Sequence, residues 1–211
     1  MKRIILLAVL AIAVNAMGSG VQITEWMYQG LGTGGVGEFA EFTNTDATAI
    51  DMTGWSYSDN HRTAGDVSLS GFGIVAPGES VILTELTPEV FRTEWGLGSS
   101  VKVLSDGTTD NLGRSDEINI YDASNNLIDR LTFNDQTSNG PRTQGKTCNI
   151  PASDYSQTAA LSTWVLSSVG DSYGSWTSSA GEIGSPGRIP EPATIALFGL
   201  GITAIIRRRR K

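Results

Sequence analysis

Several stretches of this chain carry residue types at spacings that could do chemistry. Gly30-Leu31-Gly32-Thr33-Gly34-Gly35 fits the GxGxxG pattern. Such a loop cradles phosphate when a strand leads in and a helix N-terminus follows. Here Val36 to Thr43 alternates like another strand, which predicts a plain connecting loop. Asp106, Thr108, Asp110 and Glu117 fall at the first, third, fifth and twelfth places of a calcium loop. The sixth place is Asn111 rather than Gly, and strand patterns flank it. Asp106, Asp110 and Glu117 are therefore candidate Ca2+ ligands of a loose, millimolar kind.

Two carboxylate pairs, Asp116 with Glu117 and Glu38 with Glu41, invite a comparison with glycoside hydrolysis, which needs two acids about 5–9.5 Å apart. Residues an odd number apart on a strand face opposite ways, so each pair diverges and both are predicted to be solvated surface acids. His61 is the one histidine, in the polar run Ser58-Asp59-Asn60-His61-Arg62, and is predicted in an exposed loop. Cys148 is the one cysteine, which excludes an intramolecular disulfide and any Cys-cluster zinc site. A Cys148–His61 nucleophile pair has no supporting motif, and Cys148 reads as a buried small residue or an exposed thiol. No N-x-[ST] acceptor occurs. These patterns assemble no catalytic set and call for no cofactor.

The elements that must position these residues are short strands. Alternation marks Val21–Trp26, Phe39–Phe42 (as a half-buried run), Trp55–Tyr57, Val81–Leu83 and Val101–Val103. Ile118–Tyr121 and Leu127–Phe133 flank the polar loop Asp122–Asn126 and predict a hairpin. One short helix is expected, with Thr87 as its cap, Pro88 at its first position, Phe91 and Trp95 on one face, and Gly96 ending it. Residues 134–188 are rich in Ser, Thr and Gly, and long surface loops pinned by Trp164, Val165, Leu166, Tyr173 and Trp176 are expected there. Many short strands between turn signals indicate a sandwich or a barrel.

Taken in order, these parts resemble the lamin-tail domain. The resemblance rests on Val21–Tyr28, on Glu38-Phe39-Ala40-Glu41-Phe42-Thr43-Asn44, on Ile50–Asp59 with its Thr53-Gly54-Trp55 core, on Ile74–Leu83 with its Pro77-Gly78 turn, on Asn111–Asp122, and on the closing Gly184-Ser185-Pro186-Gly187. It covers residues 21–187. Ala40, Ala47 and Met52 depart from the family's usual residues. The resemblance implies an all-β, immunoglobulin-like β-sandwich. In that frame Gly54 makes a tight turn, Trp55 supplies a large buried ring, and Asn44 and Asp51 bind turn amides.

The ends carry addresses. Lys2-Arg3, the apolar run Ile4–Val14, and the small residues Ala16 and Gly18 read as a secretory signal over residues 1–18. Pro190-Glu191-Pro192, the apolar run Ala193–Ile206, and Arg207, Arg208, Arg209, Arg210 and Lys211 form a three-part tail over residues 188–211. As a helix the fourteen-residue run would reach roughly 21 Å, marginal for a permanent span. This tail resembles the PEP-CTERM sorting signal. The resemblance implies transit through the inner membrane of a Gram-negative bacterium, cleavage near Pro190-Glu191-Pro192 by an exosortase, and release at the cell surface or into an exopolysaccharide matrix.

With the ends set aside, residues 19–189 carry eight basic side chains against 21 acidic ones, a net charge near −13 rather than the −7 of the whole chain. That excludes a nucleic-acid partner, which needs a basic face. The expectation is a body at residues 19–187 that is a non-enzymatic binding or structural module, with exopolysaccharide or a surface protein as partner. The alternatives are a calcium-dependent adhesive module using Asp106, Asp110 and Glu117, and a hydrolase of matrix polysaccharide.

Overall fold

The computed structural model describes residues 20–35, 37–107, 111–137, 140–151 and 163–188. Among them, fourteen strands and one α-helix follow in the order β1 (Val21–Met27), β2 (Phe39–Asn44), β3 (Ile50–Asp51), β4 (Ser56–Ser58), β5 (Val67–Ser68), β6 (Ile74–Val75), β7 (Ser80–Thr84), α1 (Pro88–Trp95), β8 (Val103–Ser105), β9 (Ser115–Tyr121), β10 (Leu127–Asn134), β11 (Cys148–Asn149), β12 (Val165–Leu166), β13 (Trp176–Thr177) and β14 (Ile183–Gly184). One sheet runs β12-β11-β1-β2-β7-β8 and the other β10-β9-β4-β5, with β13-β14 and β3-β6 as small ribbons. The architecture is the expected all-β, immunoglobulin-like sandwich. Trp26, Phe42, Tyr57, Val81, Ile118, Ile120 and Phe133 fill the space between the two sheets.

The larger sheet is buried on both faces. Ala40 and Phe42 of β2 enter the core between the sheets, whereas Phe39 joins Met27, Ile82, Phe91, Trp95 and Val103 in a second cluster under α1. Every residue of β2 is buried, so the half-buried reading of this strand is corrected. The helix forms as its residues dictate. The Thr87 side chain accepts from the Val90 amide, Pro88 takes the first turn, Phe91 and Trp95 are buried, and Gly96 ends it. It bridges β7 to a parallel β8. Strand β8 covers Val103–Ser105, two residues beyond the predicted start.

Strands β9 and β10 form the predicted hairpin. The Asp122 carboxylate accepts the Ser124 and Asn126 amides across the turn. Gly54 takes φ +80° and donates its amide to Ser70 Oγ at 2.9 Å, and Asp51 accepts the Thr53 amide. Asn44 Oδ1 accepts the Asp46 amide at 2.9 Å, as expected, and its Nδ2 also donates to the Thr48 and Val75 carbonyls, whereas the Trp55 ring, expected to be buried, is only partly so.

Residues 140–188 depart from the looped expectation. Strand β11 pairs with β1, β12 extends the sheet, and β13-β14 makes a ribbon. Trp164 packs edge-on against Trp26 at 6.3 Å, as a pinning residue should. Val165 and Leu166 instead stand exposed on the edge strand. Among the described residues no helix is long and apolar enough to cross a membrane. The runs Ile4–Val14 and Ala193–Ile206 lie outside the described residues.

Candidate functional site

The glycine-rich stretch Gly30–Gly35 is a loop that closes on itself, Gly30 N–H donating to the Gly35 carbonyl at 3.0 Å, and β2 follows it rather than a helix. His61 is exposed, with Nδ1 2.9 Å from Asp59 Oδ1. Cys148 is fully buried on β11, and burial pushes its thiol up to about 12, with the nearby Glu25 charge adding. A thiol in that setting is not an activated nucleophile. Of the candidate calcium ligands, Asp110 lies outside the described residues. Asp106 follows β8. Glu117 is held by Arg62, whose Nε and Nη2 donate at 2.7 and 2.5 Å, and by Thr132 Oγ1 at 3.0 Å. The Arg62 hydrogen bonds hold the Glu117 carboxyl down at about 2. Among the described residues no three His, Cys, Asp or Glu side chains form a group that could hold a metal ion.

The two members of each carboxylate pair take different hydrogen-bond partners, and none of the four is solvated. Glu38, Glu41, Asp116 and Glu117 are all buried, which corrects the surface reading. Each finds donors instead. Glu38 accepts the Leu112 amide on both oxygens at 3.0 and 2.9 Å, and burial still lifts its carboxyl to about 9. Asp116 accepts the Gly113 and Glu117 amides.

A different acid pair emerges from the fold. Glu25 on β1 and Glu41 on β2 are register partners on adjacent antiparallel strands. They are 0% and 2% exposed. Alternation puts Glu41 and Thr43 of β2 on the outer face of the larger sheet, opposite Ala40 and Phe42, and the register shift between Ile23 and Glu25 puts both Thr24 and Glu25 of β1 there, beside Ser80, Thr147 and Asn149. Thr24 Oγ1 donates to Glu41 at 2.9 Å, and Thr147 Oγ1 donates to Glu25 at 2.5 Å. Burial raises the Glu25 carboxyl to about 7 and the Glu41 carboxyl to about 8, with the charge of Glu25 adding to the second.

The cover over this pair is the segment that leaves the sandwich. Ser185 N–H donates to Glu25 Oε1 at 2.7 Å, and Ser185 Oγ donates to Oε2 at 3.0 Å. Gly187 N–H donates to Glu41 Oε2 at 2.6 Å. Gly184 completes the fit, because a Cβ there would lie 2.6 Å from Thr147 Cγ2 and 2.9 Å from Glu25 Oε1. Gly187 sits at φ +75°, and Arg188 N–H closes the turn onto the Ser185 carbonyl at 3.0 Å. The Arg188 guanidinium lies 4.7 Å from the centre of the Trp176 ring, a cation–π contact. Trp176 Nε1 donates to the Trp95 carbonyl, which ties this exit to α1.

Glu25 was not singled out in the sequence. The signal that could have found it is an acid directly beside Trp26 in a strand that pairs with Glu41. The predicted processing residues Pro190, Glu191, Pro192, Arg207, Arg208, Arg209 and Arg210 lie outside the described residues and begin just beyond Arg188.

Two family models match the chain. The Lamin Tail Domain model matches residues 15–135, and the PEP-CTERM protein-sorting motif matches residues 188–211. None of the curated proteins matches the chain. The first match ends at Asp135, yet β11 and the Ser185–Gly187 cover lie on the sheet that the matched part builds.

Proposed function

The chain belongs to the lamin tail domain family, and from that premise we propose that its body is a non-enzymatic binding or structural module displayed on the outside of a Gram-negative cell. The PEP-CTERM motif is a sorting signal, and it implies processing by an exosortase, a membrane enzyme. The observation that carries the reading is the seam at Arg188. The closing segment of the sandwich reaches Arg188, the residue at which the sorting-motif match begins.

Two further features support it. The body's net charge near −13 suits a well-solvated exported domain. Its buried acids are engaged by the chain's own donors: Glu25 and Glu41 by the exit segment, Glu38 by Leu112, and Glu117 by Arg62. Exopolysaccharide or another surface protein is the proposed partner, met after a transient stay at the inner membrane.

The test is the mass and location of the mature protein in its native cells. A surface or medium form that lacks both ends and is cut near Pro190-Glu191-Pro192 supports the reading. A chain that keeps its C-terminus in the inner membrane overturns it. The non-enzymatic part is tested separately, because turnover of any glycan or phosphoester above a blank would sink it.

A further inference from the structure

Resting on the sorting reading above, we propose that Ser185–Gly187, clasped by Glu25 and Glu41, is a latch that restrains exosortase cleavage until it lets go. The chain just before the sorting motif is folded back rather than extended. Gly187 is left-handed at φ +75°, and Arg188 N–H is turned onto the Ser185 carbonyl. The amides of Ser185 and Gly187 point into the sheet at 2.7 and 2.6 Å from the two carboxyl groups. Arg188 is pinned over Trp176.

A peptide that is read as an added strand is bound through its own backbone N–H and C=O groups. Those groups cannot serve the clasp and the enzyme together. The reach is also short. Two residues, Arg188 and Ile189, lie between Gly187 and Pro190, and the three steps fully extended span no more than about 11 Å. With the latch closed, the chain that leads into the motif is held at Gly187 on the flank of the sandwich. Opening it frees Ser185–Arg188 to extend while the β13-β14 ribbon stays in place. Glu25 and Glu41 are thus positioning residues for processing, acting through the exit segment.

The experiment follows full-length protein by pulse–chase in its native cells and reads the half-time of C-terminal cleavage. Gly187→Ala opens the latch from the tail side, because an alanine is strained at φ +75° and its Cβ would press to 3.3 Å from Val101 Cγ1. The expected result is cleavage at least threefold faster than wild type. A second variant leaves the body untouched: a flexible Gly/Ser spacer of about ten residues between Arg188 and Ile189 moves the motif clear of the latch. In the spacer chain cleavage is fast, and Gly187→Ala adds nothing. Cleavage of Gly187→Ala and of the spacer chain at the wild-type rate overturns the latch and leaves the sorting reading standing. A wild-type chain that is not cleaved near Pro190 overturns the sorting reading, and the latch falls with it.

Discussion

Glu25 and Glu41 sit directly across from one another on β1 and β2, both buried, and each accepts a backbone amide from a residue at least 146 positions away in the chain. Two acids this close and this dry are held by hydroxyls and amides; the partners described for them include no cation. Their protonation is therefore coupled to folding, and the energetics of the exit segment follow from it.

Stability should be greatest in mild acid and fall as the solution becomes alkaline. Glu25, Glu41 and Glu38 have folded-state values raised to about 7, 8 and 9 from 4.5. A raised carboxyl stabilises the fold fully below its unfolded value, and the contribution is lost as pH rises through the folded value. The loss should run from about pH 4.5 to pH 9, with a slope of up to roughly 1.4 kcal/mol per pH unit for each group while it titrates. Glu117 works the other way, its lowered carboxyl adding stability above 4.5 that disappears as pH falls through about 2. Melting temperatures between pH 5 and 9 check this; a flat or rising series contradicts it.

Glu41→Gln should reverse its effect with pH. The amide oxygen can still accept from Gly187, and the variant carries no charge opposite Glu25 at high pH. We expect Glu41→Gln to melt below wild type at pH 5 and above it at pH 9. Parallel curves with no crossing would show that the pair stays neutral or is compensated.

Trp95→Ala should cost about 3–5 kcal/mol, as emptying a core of this kind does. Trp95 is 1% exposed, and its ring meets Phe39, Phe91 and Trp176 at 5.7–6.1 Å. The loss should also loosen Trp176 and Arg188 at the exit. Urea unfolding measures the first effect and amide exchange of residues 183–188 the second. A cost below about 1 kcal/mol would mean the helix is not anchored through this ring.

Millimolar calcium should leave the melting temperature unchanged, and so should a chelator. Glu117, the one carboxylate of the Asp106–Glu117 pattern that reaches β9, is already gripped by Arg62 and Thr132. A rise of several degrees with calcium would restore the adhesive alternative, since a ligand bound only by the folded state stabilises it.

Much was legible before the fold was known. Alternation located β1, β2, β7, β9 and β10, and Thr87, Pro88 and Gly96 framed α1. Those signals are local, because a strand's period and a helix's caps lie within a few residues of each other. The same holds for the sorting tail, whose proline-acid motif, apolar run and arginines are contiguous. Two-residue strands such as β11 and β12 are too short to show a period, so the Ser, Thr and Gly content of residues 134–188 speaks only for loops.

What covers a face is a different kind of fact. Period two says that Phe39 and Glu41 share one side of β2 and Ala40 and Phe42 the other, but not that both sides are buried. Glu38 and Glu41 read as solvated because an acid alone belongs in water. The donors that make burial tolerable come from Leu112 and Gly187, far along the chain. The chain between β8 and β9 brings the first to Glu38, and the folding of the C-terminal segment back over β1 and β2 brings the second to Glu41. The sequence by itself determined the strands, the helix, the family pattern and the address; the tertiary structure decided which acids pair, and that the address begins at their clasp, because a buried carboxyl is defined by the donors that reach it.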